Sequence, residues 1–302
     1  MLNSADIVNN ALKAGVVIPA FNVPYLPMVE PIIRAVVDQD CFAFIEVARL
    51  EWLKFEAGSP AAVMAEFTKW HQPDYVRLHL DHVPVIDEDD LEVDYLPIIR
   101  EGIALGYHSV MIDGSRLDLE GNIQATQQVV ELAHQAGIPC EAELGAVLGH
   151  EAGPLLPYEE LFESGRGFTA VKQAERFAQE TQCDWLSVAM GNVHGAISGV
   201  LKDQRKVEAK LNLEHLEKLQ QATGGIPFVL HGGSGVKQEY LLAGIKKGIA
   251  KVNIGTEIRQ PYEAVIRASG DGVAAQQAVY ERTCGLIRDY FGLASTRRWV
   301  AN

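Results

Sequence analysis

Three histidines stand where a metal site would need them. His82, His194 and His231 each follow a short apolar run, and two of them are flanked by glycine, in GNVHGA and LHGGSG. A catalytic zinc takes three protein ligands and leaves one position open for water or substrate, so three imidazoles brought to one place suit that ion. The other six histidines fit less well. His79 lies three residues before His82 on the same run and is expected to face the other way. His134 and His215 fall within helical patterns, His108 precedes a strand, and His150 is the one rival ligand. A lone histidine is more often a hydrogen-bonded polar residue than a ligand; three in equivalent positions favour the metal.

These residues need a scaffold that brings distant strand ends together. Short β-branched runs alternate with helical patterns along the chain: Val16–Val23, Phe42–Ala48, Val76–His82, Ser109–Asp113, Pro139–Leu144, Trp185–Met190, Pro227–His231 and Lys251–Ile254. The intervening segments Leu26–Gln39, Asn122–Gly137 and Gln238–Gly248 have apolar residues at helical spacing, the last two ending in glycine. Eight strand–helix units predict an α/β fold, a closed (β/α)8 TIM barrel with an open doubly wound sheet as the fallback. An extra C-terminal helical segment is expected from about Val273 to Phe291, and residues 1–302 read as a single catalytic domain. Nearly every unusual polar residue follows a strand: Asp81 and His82, Asp113, Glu143 with Glu151 in its loop, His194, His231, then Asn253 and Thr256. In such a barrel the C-terminal strand ends form one mouth, where chemistry occurs.

Composition narrows the partners. With 302 residues and 48% hydrophobic content the chain can bury a large core. A formal net charge of −14 argues against a general nucleic-acid binder, which would carry a basic face. The opening MLNSADIVNNALKAG lacks the basic and apolar regions of a signal peptide. No apolar run has the length of a membrane span. Cys41, Cys140, Cys183 and Cys284 form no CxxC pair and read as buried thiols in a reducing compartment, so a cytoplasmic location is expected.

The last two loops suit an anion. LHGGSG follows the seventh strand and VNIGTE the eighth, where barrels often bind phosphate through backbone amides. Gly232 and Gly233 permit close approach of the backbone; Ser234 and Thr256 add hydroxyl donors. Alone, GGSG would read as a tight turn. Neither loop matches GxGxxG or GxxxxGK[ST], which disfavours the standard nucleotide-binding turns.

Taken together, IPAFNV, LHLDHV, GYHSVMIDGS, EAELG, GNVHGA, LHGGSG and KVNIGTEIR resemble, in order and spacing, the class II fructose-bisphosphate/tagatose-bisphosphate aldolase family over almost the whole chain. The resemblance implies reversible aldol cleavage of a ketose (bis)phosphate to dihydroxyacetone phosphate and an aldehyde, within carbohydrate metabolism such as glycolysis. It implies Zn2+ on His82, His194 and His231, with Glu143 at a position linked to a second metal or to support of the first. A second divalent or a monovalent cation is therefore also considered. Asp81 is implied as the proton donor and Glu151 as a mobile-loop group with a proton-transfer role. The candidate substrate-binding set is Asn22, Gly195, Gly232, Gly233, Ser234, Asn253, Ile254, Gly255, Thr256 and Arg259, the arginine matching one that reaches a distal phosphate in some members. A homodimer or homotetramer is expected, with neither nucleic acid nor membrane as partner.

Elementary chemistry agrees. Cleavage beside a ketone needs a sink for electrons, either a Lewis-acid metal or a lysine Schiff base. Lys251 is expected to open the eighth strand at the opposite end, which leaves the metal. Asp81, beside a ligand, is placed to exchange a proton; its simpler role is to orient a histidine. The departures lie elsewhere. EVARLEWLKFEAG stands where the family usually has a serine-containing, glycine-rich loop, Gly255 where many members have aspartate, and SGVLKDQRKVEAK extends the link after His194. They bear on the aldehyde half of the substrate. Competing readings are the same chemistry on a different aldehyde, a non-catalytic phosphosugar-binding barrel, and a metal-dependent hydrolase. The last would commonly show HxH on the first strand, and Ile18–Asn22 has none.

Overall fold

The computed structural model describes residues 2–145, 158–192, 209–233 and 235–301, without the side chain of Leu161. Within them eight parallel strands close in sequence order into a barrel. They are β1 (Ile18–Asn22), β2 (Ala43–Ala48), β3 (Val76–Pro84), β4 (Ser109–Asp113), β5 (Cys140–Leu144), β6 (Trp185–Val188), β7 (Phe228–Leu230) and β8 (Ile249–Ile254). Closure is made by β1 against β8, with Ile18 opposite Lys251 and Ala20 opposite Asn253. Helices separate the strands, so both strand faces are covered; β2, β5 and β8 are buried at every position. That explains why these strands read as nearly continuous apolar runs.

Alternation sorts the side chains into two populations. Ile45, Val47, Leu78, Leu80, Ile112, Ala142, Leu186 and Leu230 point outward into the shell between strands and helices. Ile18, Ala20, Phe44, Trp185, Val229 and Ala250 form a second cluster at the N-terminal end of the lumen. The helix Ser4–Ala14 closes that end with Ile7, Val8 and Ala11. Asn3 caps its start by accepting from the Asp6 N–H, and Gly15 ends it in the left-handed conformation at φ 66°. The expected C-terminal extension is present as the helix Gly272–Gly285 running into a π-helical turn at Leu286–Tyr290. It packs against the helices Val29–Asp38 and Thr256–Ser269. All four cysteines are buried and free.

Candidate functional site at the C-terminal mouth

Above the apolar floor the lumen turns polar. One layer holds Glu46, His79, Ser109, Glu141, Ser187 and Lys251, all fully buried. Two residues further along their strands come Asp81, Glu143 and Asn253, with Asn22, Asp113 and His231 beside them. The signal for the lower layer was available: counting back two residues from Asp81, Glu143 and Asn253 gives His79, Glu141 and Lys251. The outward positions between them are apolar.

This corrects two expectations. His79 points into the lumen, where its Nδ1 meets Ser109 Oγ at 2.8 Å. Lys251 does not open its strand: β8 begins at Ile249, and Lys251 lies inside the barrel two residues below Asn253. Pairing of β7 with β8 shifts register between Phe228 and Val229, which the residue pattern alone does not reveal. His82 is the residue that breaks alternation. Neighbours Asp81 and His82 should face opposite ways, yet both reach the mouth. The β3–β4 register slips between Leu80 and Val83, and His82 takes φ 33°. A bulge of this kind re-aims a side chain, and a left-handed histidine is a strained conformation found most often at functional positions.

The histidines and carboxylates interlock. His82 Nδ1 lies 3.2 Å from Asp113 Oδ2 and 3.9 Å from Glu143 Oε2. The His231 ring centre is 4.4 Å from that of His82. His231 Nδ1 faces Glu143 Oε2 at 2.9 Å, while its Nε2 faces Glu141 Oε1 at 2.8 Å. Ser115 donates to Asp113 Oδ1 through both its N–H and its hydroxyl, which fixes the carboxylate. Asn192, from GNVHGA, donates to the His231 carbonyl at 3.0 Å and holds the end of β7. Asp81 is gripped on both oxygens: Asn22 donates to Oδ2 at 2.9 Å and Asn253 to Oδ1 at 3.0 Å.

These contacts set the charges. Burial alone would push His82 and His231 down. Asp81, Asp113 and Glu143 reverse that for His82, which is pushed up to about 9. Glu141 and Glu143 do so for His231, pushed up to about 10. Burial pushes the Glu143 carboxyl up, with the Asp113 charge adding to it and His231 opposing it. Burial works against the charged form of Asp81, but the cationic groups around it hold it below the ordinary carboxylate value. The mouth thus stabilises positive charge between these groups. Asp81, His82 and His231 can each turn a ligand atom to within 4.8 Å of the others, and so can His82, Asp113 and Glu143. Two imidazoles with hard carboxylate oxygens form a donor set that fits a divalent cation.

The expected anion loops have matching geometry. Gly232 has φ 68°. A Cβ on Gly233 would run into the Val252 side chain, so the chain passes there only as glycine. Gly255 precedes the helix Thr256–Ser269 and offers no side-chain acceptor to its first amides, an arrangement that favours an anion. Ile254 turns its side chain into the outer shell, leaving its backbone for any ligand. Arg259 is buried and engaged: it donates to both oxygens of Glu263 at 2.8 and 2.7 Å and lies over the Phe55 ring. The Tyr25 hydroxyl donates to the same glutamate.

After β2 the chain forms a short helix, Arg49–Lys54. Arg49 pairs with Asp87 at 3.0 Å, and Lys54 with Glu88 and Asp89. Glu51 is buried beneath this turn, accepting from the Ala48 N–H at 2.8 Å, near Asn22 and Asp81. Burial pushes its carboxyl up to about 8. His194, Gly195, Ser234 and Glu151, with the rival His150, lie outside the described residues.

Fold and site together define a (β/α)8 barrel whose mouth carries a donor set that fits a divalent cation, beside two glycine-bearing strand ends. The sequence profile described as "Fructose-bisphosphate aldolase class-II" matches residues 2–290, and the chain belongs to that family. A fructose-bisphosphate aldolase of Streptococcus pyogenes is 31% identical over 286 residues, covering 93% of this chain and 87% of that enzyme. One of Streptococcus pneumoniae is 37% identical over 207 residues, covering 68% of this chain; the matched region spans 61% of that enzyme's length. The crystal structure of the YdjI aldolase from Escherichia coli superposes with a TM-score of 0.76 at 27% identity, covering 98% of this chain and 100% of that one. Membership of the class II family implies a divalent metal, in keeping with the donor set at the mouth. No described helix is long and apolar enough to cross a membrane.

Proposed function

We propose that this chain is a zinc-dependent aldolase that reversibly cleaves a ketose (bis)phosphate to dihydroxyacetone phosphate and an aldehyde. One observation carries the reading: Asp81 is held by two asparagines at the edge of a histidine–carboxylate cluster that favours a cation. His82 and His231, joined in this proposal by His194, would hold Zn2+, with Glu143 beside them. When bound, the ion supplies a Lewis acid for the charge that develops on the ketone oxygen. The chain's own groups do the rest. Gly232, Gly233 and the start of the helix Thr256–Ser269, with Gly195 and Ser234, would seat the phosphate. Asp81 would take the proton of the hydroxyl beside the cleaved bond and return it on synthesis. Asn22 and Asn253 keep both of its oxygens aimed. Glu151 would serve the remaining proton transfer. A cytoplasmic homodimer or homotetramer, one barrel domain per subunit, completes the proposal.

Removal of the metal by a chelator should abolish cleavage, and Zn2+ or Co2+ should restore it. Full activity after verified removal, or borohydride trapping of substrate on lysine, would sink the reading. Two observations favour a different aldehyde within the same chemistry. Arg259, the candidate for a distal phosphate, is already neutralised by Glu263, and a buried Glu51 stands near Asp81.

A further inference from the structure

Among the described residues Lys251 is the one lysine at the centre of the lumen, and the mechanism above gives it no task. Its Nζ lies 3.1 Å from Glu46 Oε2 and 3.0 Å from Glu141 Oε2, all three residues fully buried. Two chains of contacts leave it toward the mouth. In the first, Nζ donates to Asn253 Oδ1 at 2.7 Å and Asn253 Nδ2 donates to Asp81 Oδ1 at 3.0 Å. In the second, the other oxygen of Glu141 meets His231 Nε2 at 2.8 Å.

An ammonium has donors and no acceptor, so it can meet only the oxygen end of the Asn253 amide. That choice turns the NH2 end toward Asp81. The opposite flip would set amide oxygen against carboxylate. The same ammonium anchors one oxygen of Glu141 and leaves the other to accept the Nε2 proton of His231. An imidazole whose Nε2 proton is held there can offer a ligand lone pair only at Nδ1, the nitrogen on the Glu143 side. We infer that Lys251 is a positioning residue that sets both the orientation of the proton-transferring Asp81, through Asn253, and the metal-ligating tautomer of His231, through Glu141. The inference rests on the metal-aldolase reading for its consequences in turnover, but its metal arm stands on the contacts alone.

The test uses the full chain with Co2+ as probe. Lys251→Met keeps length and apolar packing while removing the donors. The dissociation constant for Co2+ should rise about 10–100-fold, with an altered visible spectrum of the cobalt-loaded protein. At saturating metal, kcat should fall about 100-fold while KM stays within about threefold, the signature of a misaimed proton-transfer group. In an Asp81→Ala background the same change should leave kcat almost untouched and still weaken Co2+ binding. A purely structural role would instead lower kcat equally in both backgrounds, and that result would overturn the proposal. So would a folded Lys251→Met protein with unchanged Co2+ affinity and kcat. If Lys251→Met does not fold, Glu141→Gln decides: weakened Co2+ binding supports the proposal and unchanged binding refutes it. Wild-type protein that binds Co2+ yet cleaves no ketose phosphate would defeat the aldolase reading alone, and the metal arm would still decide this one.

Discussion

Histidine is treated in opposite ways at the two ends of this barrel. At the N-terminal end, burial among Phe67, His71 and Arg77 pushes His108 down to about 4, and its Nδ1 accepts from the Leu78 N–H. At the mouth, the half-buried His82 and the fully buried His231 are pushed up to about 9 and 10. Burial opposes the charged form in all three. What differs is the company: His108 has a guanidinium nearby, while the mouth pair has Asp81, Asp113, Glu141 and Glu143. Burial alone therefore does not mark a metal site. Carboxylates arriving from β3, β4 and β5 at the same depth do. The floor provides the contrast, with Ile18, Ala20, Phe44, Trp185 and Val229 filling the space that acids and amides occupy above.

Removing the central acid should break the mouth without touching the floor. Asp81→Ala is expected to lower kcat about 10²–10⁴-fold while zinc content stays near normal. Loss of the metal with per-metal turnover retained would instead make Asp81 an orienter of His82. The converse change is Phe44→Ala. Phe44 is fully buried against His79 and Trp185, and its removal should cost about 3–5 kcal/mol of stability. Activity per folded molecule should remain within about threefold. Chemical denaturation with parallel kinetics checks both, and a large fall in kcat for the folded floor variant would show that the two ends are not separable.

Much of this was legible before the structure. Apolar runs of strand length, with polar residues at their ends, predicted eight units and one mouth, and Asp81, His82, Glu143, His231 and Asn253 meet there. The layer beneath was legible only in part. Glu141 opens one quoted motif and Lys251 another, but their roles depend on lumen depth, which strand register sets. Register follows from packing between neighbouring strands, and its slips at Leu80–Val83 and at Phe228–Val229 leave no mark in the pattern of residue types. His82 was found for the wrong geometric reason: alternation should have separated it from Asp81, and a bulge brings them together.

A smaller effect follows from the histidine at the N-terminal end. His108 has a lower proton affinity folded than unfolded. Between pH 6.5 and about 4 the unfolded chain takes up a proton that the folded chain refuses. Stability contributed here is complete above pH 6.5 and is lost as pH falls through that window, at up to about 1.4 kcal/mol per pH unit. His108→Gln retains an acceptor for Leu78 and cannot titrate, so its melting temperature should fall less steeply across the same range. Parallel slopes for the two proteins would mean that His108 is not the group responsible.

The subtlest contrast lies within the mouth, between the β7–β8 side and the β2 side. The first keeps the glycine geometry suited to a phosphate, at Gly232, Gly233 and Gly255. The second carries Arg49, Glu51, Trp52 and Lys54 in place of a small loop. The cations there are spent: Arg49 on Asp87, Lys54 on Glu88 and Asp89, and the nearby Arg259 on Glu263. Glu51 remains under the turn near Asn22 and Asp81, an acid in the neighbourhood of the aldehyde. Among the described residues a second phosphate would meet little uncompensated positive charge on this side. Fructose 1,6-bisphosphate is therefore expected to be a poorer substrate than a ketose 1-phosphate without the distal group, by about tenfold in kcat/KM, the effect of some 1.4 kcal/mol. Above pH 8, where Glu51 carries charge, Glu51→Gln should narrow the gap by easing repulsion of the anionic aldehyde, and below pH 8 it should change little. Steady-state comparison of fructose 1,6-bisphosphate, tagatose 1,6-bisphosphate and non-bisphosphate ketose 1-phosphates decides it. If fructose 1,6-bisphosphate ranks above the others with kcat/KM in the usual range of about 10⁴–10⁸ M⁻¹s⁻¹, the β2 side does not discriminate. Its ion pairs would then open to receive the second phosphate.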